Sequence, residues 1–437
     1  MTKIFKFLSE NQSFSPRTWF EQLFGFKESV ESVQNNFDVI ESNEFNQTKL
    51  NPPPLQTKLV SKVNGKSYNA GNFQIRSSDR KSYHLSKSPN KNNGKLNIIH
   101  GYGRQSKHYE LVDILSMQSI PAFNGATYLA ASNFNCLEFV SCYQTASSGV
   151  TSYYADPTQG PYAALACGPS IVYRNYFLKH DNVIGQISSE INLLSKTPIP
   201  VTHGYAIIHD NKVLTPPKPK TFWGIVKRFI LKLFMSEEKL NGLYWTDPKI
   251  WQVGVHRNCE VALARGSQGE FCFARAGVFA HHVYAAAFNF ASDVVETDLT
   301  RKVSTQMLTA EYRATILAAW ENSILYPGRP GSNKLSLTLL GGGVFNNPYD
   351  IICGAIAENV KLIKESGLQV YVTCYDDRTF RDVMQYLQKA VDETKGIIYD
   401  TNDEESCAQL LNVPDEVPPQ PKPASLLETI KGFICFW

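Results

Sequence analysis

The hydrophobic pattern of the chain changes period repeatedly between residues 283 and 399. Short apolar runs have the length of buried strands, at 283–290, 335–340, 369–375 and 396–399. Apolar residues fall at helical spacing between and before them, in 303–325, 351–363 and 380–391. Strands that alternate with helices are typical of a layered α/β domain with a parallel or mixed sheet. We therefore predict an α/β fold with a central mixed sheet.

Two of the predicted strands are followed directly by polar or glycine-rich turns. The strand at 126–131, ATYLAA, runs into SNFN, and the strand at 335–340 runs into GGGVFNN. Ligands of open α/β sheets bind beyond the carboxyl ends of the strands. The sequence therefore predicts a binding site at this edge of the sheet.

Composition divides the rest of the chain into segments. Residues 1–95 are rich in Asn, Ser and Lys and are interpreted as a polar N-terminal extension and linker. The α/β domain is expected over 96–400, and 401–437 holds a proline-rich segment and an apolar C-terminal helix. A long insert is expected within the domain, at about 180–270.

The segment 222–235 within this insert has the pattern of a basic amphipathic helix. Phe222, Phe229 and other apolar residues fall on one side, and Lys227, Arg228 and Lys232 fall towards the other. Such a helix lies on a membrane surface or binds a partner. The alternative is a helix packed on its own domain.

Overall composition excludes several classes of protein. The 437 residues are 43% hydrophobic and 12% aromatic, enough for a sizeable core, and the net charge of +3 argues against a general nucleic-acid binder. The nine cysteines contain no CxxC pair, which disfavours zinc and a disulfide framework, and no histidines have the spacing of metal ligands. No signal peptide or spanning helix is predicted, so we expect a reducing, cytosol-like compartment, or secretion without a cleaved signal.

The turn after the strand at 335–340 is the strongest candidate site. Its three glycines permit positive φ and close approach to a ligand, and free N–H groups there, together with the start of the next helix, make an anion site. Phe345 has two open interpretations, a wall for a sugar or base and an ordinary core residue. The predicted ligand-binding residues of this turn are Gly341, Gly342, Gly343, Val344, Phe345 and Asn346.

Two stretches upstream supply further candidates. Asn133 and Asn135 have the donors and acceptors to bind ribose hydroxyls, but ordinary turn chemistry is the alternative. Asp156, with Gln159 beside it, is positioned either to activate a water or to cap a helix. Arg174 is either a phosphate contact or a salt-bridge partner.

A last candidate group follows the apolar run at 283–290. Asn289 is a predicted ligand contact, and Asp293 is a carboxylate that would meet Asp156 across a cleft, as paired carboxylates do in glycosidic hydrolysis. Capping of the helix at 303–325 is the alternative.

The stretch LTLLGGGVFNNPYDIICGAIAENV, followed by LQVYVTCYDD, resembles the second ligand loop of macrodomains. Upstream, YLAASNFN resembles their asparagine loop, and DPTQGPYAALA stands where the poly(ADP-ribose) glycohydrolase branch has a glycine run and a Gln-Glu-Glu signature. The resemblance covers about 120–400, interrupted at about 180–270. The polar N-terminus is similar to that of macrodomain effectors of intracellular bacteria such as Legionella.

The resemblance implies a three-layer macrodomain-like fold and ADP-ribose as the ligand, with no further cofactor. Residues 341–345 would hold the diphosphate, Asn133 or Asn135 would contact the distal ribose, and Asp156 would position water at the anomeric carbon. The implied activity is hydrolysis of ADP-ribose from a modified protein, including ADP-ribosyl-arginine, by an effector acting in a host cell.

The departure from the Gln-Glu-Glu signature leaves a second hypothesis open. In it the protein is a non-catalytic ADP-ribose reader, or a scaffold that binds a host protein through residues 180–270.

Overall fold

The computed structural model describes residues 13–42, 56–85, 93–218, 221–223, 226, 230–231, 235–266 and 268–411. Its centre is a mixed sheet of ten strands. In chain order these are β1 (Phe37–Ser42), β2 (Gln56–Ser61), β3 (Ser67–Ser77), β4 (Lys95–His100), β5 (Thr127–Ala131), β6 (Gln252–Glu260), β7 (Phe279–Ala285), β8 (Lys334–Leu337), β9 (Gln369–Cys374) and β10 (Ile398–Asp400).

The sheet has a parallel half and an antiparallel half. Its strand order is β10-β4-β9-β8-β5-β7-β6-β3-β2-β1, with parallel pairing from β10 to β7 and antiparallel pairing from β7 to β1. The parallel strands are apolar and almost continuously buried, as strands covered on both faces must be. The outermost antiparallel strand, β1, is mostly exposed. The predicted α/β fold with a central mixed sheet is confirmed.

Helices cover the parallel half. In chain order the helices are α1 (Trp19–Phe24), α2 (Val30–Asn36), α3 (Ile114–Met117), α4 (Gln159–Ala166), α5 (Gly168–Tyr176), α6 (Glu237–Trp245), α7 (Asp298–Leu325), α8 (Tyr349–Ala357), α9 (Val360–Ser366), α10 (Asp377–Thr394) and α11 (Glu404–Leu411). Short 3₁₀ turns lie at Pro16–Thr18, Arg80–Ser82, Tyr109–Leu111, Pro121–Phe123, Ala146–Ser148, Thr151–Ala155 and Asn211–Leu214.

Two neighbouring residues of β5 show that helices lie on both faces of the sheet. Thr127 Oγ1 accepts a hydrogen bond from the Asn322 amide of α7, at 3.0 Å. Tyr128 instead lies beside Cys167, the residue between α4 and α5. Because successive side chains of a strand point to opposite faces, α7 and the α4–α5 pair lie on opposite sides, and the fold has three layers.

The predicted domain limits at residues 95, 180 and 270 differ from the structure. Strands β1–β3 come from the predicted N-terminal extension, yet they form the outer end of the central sheet. Strand β6, from the predicted insert, pairs with β3 on one side and β7 on the other. Strands β1–β3 carry many polar residues, so their composition resembled that of a linker. Strand β6 is almost fully buried, but it includes the polar residues His256, Arg257 and Asn258.

Several element boundaries also differ from the prediction. Helix α7 begins at Asp298 because Thr297 caps it in a capping box, and β7 ends at Ala285 while the apolar residues after it leave the sheet. The single helix predicted at 351–363 is divided into α8 and α9 at Asn359. The Asn359 amide donates to the carbonyl of Ala355 at 3.0 Å.

Smaller elements flank the main sheet. A three-stranded sheet consists of Ser13–Phe14, Phe271–Phe273 and Leu263–Arg265. One hairpin pairs Lys179–His180 with Val183–Ile184, and another pairs Val201–Thr202 with Tyr205–Ala206. Within the described ranges, no helix combines the length and hydropathy that crossing a bilayer requires. The predicted helix at 222–235 lies only partly within these ranges, where Phe222 and Trp223 are exposed, and the one at 426–437 lies outside them.

Candidate functional site

Two adjoining cavities lie at the carboxyl edge of the parallel strands. The first, of about 530 Å³, is bounded by the ends of β5 and β8 and by the start of α4. The second, of about 540 Å³, lies on the other side of β8, towards β9. Their shared walls are Thr158, Gln159, Thr338, Leu339 and Gly343. Each volume suits part of a small-molecule ligand, and the two together suit an elongated one.

The glycine turn after β8 forms the junction between the cavities. Gly341 has φ +73°, and a Cβ there would lie 2.4 Å from the Asn347 amide nitrogen and 2.5 Å from the Ala287 methyl group. Only glycine fits both the conformation and the space. Gly343, in contrast, has no heavy atom within 4 Å of the position that a Cβ would take, so it faces open space.

The backbone of this turn has unpaired donors beside the cavities. Among the described residues, the N–H groups of Gly343, Val344 and Phe345 have no hydrogen-bond acceptor, whereas Gly342 N–H donates to Leu339. Three successive N–H groups at the edge of a cavity form an anion-binding concavity. The predicted anion site therefore has the donors that such a site needs.

Asn347 holds this turn in place, and sequence analysis did not single it out. Its buried amide donates to the carbonyl of Phe288 at 2.7 Å. Asn346, which was predicted to bind ligand, is exposed and has φ +54°, and neither cavity includes it. The neighbouring residue therefore supplies the structural amide, a distinction that the NN dipeptide does not reveal.

The start of α4 lies against the end of β5. A Cβ on Gly160 would lie 1.7 Å from the Ala131 carbonyl oxygen, so the helix approaches the strand as closely as glycine permits. The Gln159 amide donates to Leu129 O at 2.8 Å and accepts from Ala131 N–H at 2.9 Å. Gln159 thus lines the first cavity while its polar atoms fasten the helix to the strand. The positive end of the helix points at the first cavity.

Asp156 lines the first cavity and is partly buried. One carboxylate oxygen, Oδ1, accepts the Thr158 N–H at 3.0 Å, which fixes the side chain just before α4. The carboxylate is therefore both anchored and accessible, as a group that positions water must be.

The asparagine loop after β5 is largely occupied by its own hydrogen bonds. The Asn133 amide donates to Phe139 O at 2.8 Å, and it lines the first cavity. The fully buried Asn135 donates to Glu190 Oε2 at 3.1 Å and accepts from Leu137 N–H at 3.0 Å. Asn135 does not line either cavity.

Tyr205 is a wall of the first cavity that sequence analysis missed. Its hydroxyl donates to Phe139 O at 2.8 Å, and its ring lies 6.0 Å from that of Phe345. The hairpin that carries it packs so closely on the asparagine loop that a Cβ on Gly204 would have no room beside Asn135. No local pattern marked this residue, since the hairpin belongs to the predicted insert.

A buried ion pair supports the asparagine loop from below. Arg174 donates to Glu138 Oε2 at 2.8 Å and to Cys136 O at 2.9 Å, and both side chains are inaccessible. Burial raises the pKa of Glu138 to about 7, and the Arg174 charge opposes that rise. Of the two interpretations left open for Arg174, the structure shows the salt bridge.

Asn289 and Asp293 bind one another beside the site. The Asn289 amide donates to Asp293 Oδ2 at 2.7 Å, and neither residue lines a cavity. Asp293 does not line the first cavity, so it does not face Asp156 across it. Burial raises the pKa of the Tyr205 hydroxyl, and the charges of Asp293 and Asp156 add to that rise. The structure thus brings together Asn133, Asp156, Gln159, Gly341, Gly343, Val344 and Phe345 in the first cavity, with Gly342 in the second.

The second cavity combines aromatic rings and arginines. Tyr109 and Tyr375 line it, as do Arg104 and Arg265. The Arg265 guanidinium lies 4.7 Å from the Tyr162 ring centroid and donates to Asp113 Oδ2 at 3.0 Å. Such a lining suits a planar base attached to an anionic group. Within the described part of the chain, no cluster of three or more His, Cys, Asp or Glu residues has metal-binding geometry.

Comparisons with known proteins reveal similarity in structure but not in sequence. No family model matches the chain, and no curated protein matches it. Among solved structures, poly(ADP-ribose) glycohydrolase from Thermomonospora curvata is 10% identical, with a TM-score of 0.38 over 86% of this chain and 98% of that chain.

Two further structures match over shorter lengths. Poly(ADP-ribose) glycohydrolase from Deinococcus radiodurans, in complex with ADP-ribose, is 16% identical with a TM-score of 0.25, over 32% of this chain and 52% of that chain. The Oceanobacillus iheyensis macrodomain is 14% identical with a TM-score of 0.21, over 28% of this chain and 56% of that chain. The chain thus spans about half the length of each of these two proteins, and it is similar to both macrodomain and poly(ADP-ribose) glycohydrolase structures.

Proposed function

We propose that this protein binds ADP-ribose across the two cavities and hydrolyses the bond that joins ADP-ribose to a modified protein. The observation that carries the proposal is the set of free N–H groups at Gly343, Val344 and Phe345, of which Gly343 lines both cavities and the other two line the first. ADP-ribose has a diphosphate at its centre, a nucleoside at one end and a ribose at the other. One anion cradle between two cavities matches that order.

Each cavity suits one end of the ligand. The rings of Tyr109 and Tyr375 in the second cavity offer surfaces for a base. The first cavity offers Phe345 and Tyr205 as walls for a ribose, and Asp156 as its partly exposed carboxylate. The distal ribose therefore belongs in the first cavity, beside Asp156.

Asp156 supports a hydrolytic mechanism. Its carboxylate accepts a proton from a water that attacks the anomeric carbon of the distal ribose, while the bond from that carbon to the protein side chain breaks. The proton then passes from Asp156 to the leaving group, which restores the carboxylate. The anion cradle holds the diphosphate so that this carbon stays beside Asp156. A guanidine leaving group is cationic when protonated, and the negative charge of Asp156 attracts it. This favours ADP-ribosyl-arginine as the linkage.

The test is release of ADP-ribose from ADP-ribosylated protein by wild type and by Asp156→Asn. We expect the variant to lose about 100-fold or more of the hydrolysis rate, as removal of a general base does, and to retain ADP-ribose binding by calorimetry. Equal rates for both proteins would remove Asp156 from the mechanism.

One observation favours a second candidate, a non-catalytic ADP-ribose reader. The first cavity is lined by two carboxylates, and one of them, Glu138, is inaccessible, whereas glycosidic hydrolysis generally uses a pair. Tight ADP-ribose binding without release from any modified protein would establish the reader. Action inside a host cell, and a host-protein partner for residues 180–270, stay predictions.

A further inference from the structure

Two exposed valines line the first cavity, and an exposed tyrosine lies in the same loop as one of them. Val140 and Val344 line the cavity, and they are 60% and 74% exposed. Tyr143, three residues after Val140 in the same loop, is 91% exposed. We call these three residues the apolar rim. Exposed apolar residues that cluster at the opening of a site commonly mark a surface for another macromolecule.

Among the described residues, no lysine or arginine lines the first cavity. The residues that line it include Asp156 and Glu138. The segments around its opening, 139–145, 155–161, 201–206 and 341–346, contain neither residue type, and the one histidine among them, His203, pairs with Glu190 at 3.3 Å. The second cavity differs, because Arg104 and Arg265 line it.

This charge distribution bears on what is attached to the distal ribose. In a polymer of ADP-ribose, the next unit would bring a second diphosphate to the mouth, where an anion needs cationic partners. Asp156 would repel it. A polypeptide brings apolar side chains, which the rim can bury, and a cationic side chain, which Asp156 attracts.

We propose that the apolar rim docks the polypeptide around the modified residue, so that the substrate is a protein carrying a single ADP-ribose and not a polymer. This inference rests on the proposed function, since it concerns the same site. It adds a substrate class and assigns a role to Tyr143 and Val140.

The test measures binding by the full wild-type chain, which keeps the charge of Asp156, and the bond to the distal ribose of each ligand is replaced by a non-hydrolysable one so that ligands are not consumed. Three ligands are compared, namely free ADP-ribose, a peptide with one ADP-ribosyl-arginine, and a two-unit ADP-ribose oligomer. We expect the peptide to bind more tightly than free ADP-ribose, and the oligomer to bind no better than free ADP-ribose. An oligomer that binds as tightly as the peptide would overturn the inference.

Tyr143→Ala then isolates the rim. We expect it to weaken peptide binding about fivefold, as loss of an interface tyrosine does, and to leave free ADP-ribose binding unchanged. The control is Tyr386→Ala, a 45% exposed tyrosine of α10 that lines neither cavity, which should change nothing. Equal effects of the two substitutions on peptide binding would refute the docking surface.

Val140→Lys tests the charge argument directly. A cation at the mouth is expected to tighten binding of the two-unit oligomer relative to the peptide. No change in that ratio would count against the inference. Failure of the proposed function is distinguishable from all of these results, since free ADP-ribose would then not bind any of the proteins.

Discussion

The glycine turn and the asparagine loop both follow strands of the same sheet, yet they use their polar groups differently. In the glycine turn, three successive N–H groups have no acceptor among the described residues, and all three residues line the first cavity. In the asparagine loop, the amides of Asn133 and Asn135 donate to Phe139 and Glu190. The donors of the glycine turn are free to bind a ligand, whereas those of the asparagine loop bind acceptors within the protein.

Polar groups at a strand end therefore serve either of two purposes. Backbone N–H groups in a turn that glycine shapes are left free because no local acceptor reaches them. Buried side-chain amides must find partners within the fold, because an unpaired buried amide is costly. We expect the glycine turn to determine ligand affinity and the asparagine loop to determine the shape of the first cavity.

The largest effect is expected from Gly341→Ala. The added methyl group overlaps Asn347 and Ala287, and alanine must adopt φ +73°. We expect the free energy of unfolding to fall by about 3 kcal/mol, measured by chemical denaturation. The matched control is Gly354→Ala in α8, where the added methyl group meets no atom within 4 Å and stability should not fall.

Gly343→Glu should separate binding from folding. The new side chain enters open space at the junction of the cavities, so thermal stability should match wild type, but its charge repels the diphosphate. We expect ADP-ribose affinity to fall about 100-fold by calorimetry. Gly354→Glu carries the same charge change away from both cavities and should bind as wild type does. Unchanged affinity in Gly343→Glu would remove the anion cradle from the proposal.

Asn135→Ala should show the opposite separation. It removes the bonds to Glu190 and Leu137, and we expect the free energy of unfolding to fall by about 2 kcal/mol. ADP-ribose affinity should change less than twofold when measured well below the unfolding temperature, because Asn135 lines neither cavity. A large loss of affinity at wild-type stability would instead place Asn135 on the ribose and remove the distinction between the two turns.

The smallest expected effect is the dependence of stability on pH through His282, which is linked to helix α4. His282 accepts from the Tyr284 hydroxyl at 2.9 Å and donates to Gln118 Oε1 at 2.7 Å, and the Gln118 amide donates to Ala163 of α4. Burial, with a smaller contribution from Arg174, lowers the pKa of His282 to about 3. The unfolded chain therefore binds a proton that the folded one excludes. The stability that this histidine contributes is lost as pH falls from about 6.5 towards 3.

Denaturation of wild type and His282→Gln between pH 7 and pH 5 checks this. We expect the stability difference between the two proteins to shift against wild type by less than about 2 kcal/mol at pH 5. Parallel pH profiles would show that His282 is not held neutral. Hydrogen exchange should locate the loosening in α4 and not in the glycine turn, which contains no titratable side chain.

The sheet was predictable only in part. The apolar runs of β8 and β9 and the change to helical spacing after the glycines marked the parallel half, because strands buried on both faces need nearly continuous apolar sequence. In the antiparallel half, the sequence pattern places β1–β3 in a linker and β6 in an insert. Strands β1 and β3 carry polar residues at exposed or partly buried positions, and β6 buries His256, Arg257 and Asn258. The pairing partners β3 and β6 also lie far apart in sequence.

The sequence by itself determined the glycine turn. A strand, three glycines and a helix start are local requirements, and the conformation of Gly341 follows from them. Tertiary structure decided everything that depends on distant partners. Glu190 accepts the hydrogen bond of the Asn135 amide, and Glu138 pairs with Arg174. The hairpin that carries Tyr205, although it belongs to a predicted insert, forms one wall of the first cavity. Whether a polar side chain faces a ligand depends on which acceptors the fold brings within about 3 Å, and such acceptors leave no mark in the neighbouring sequence.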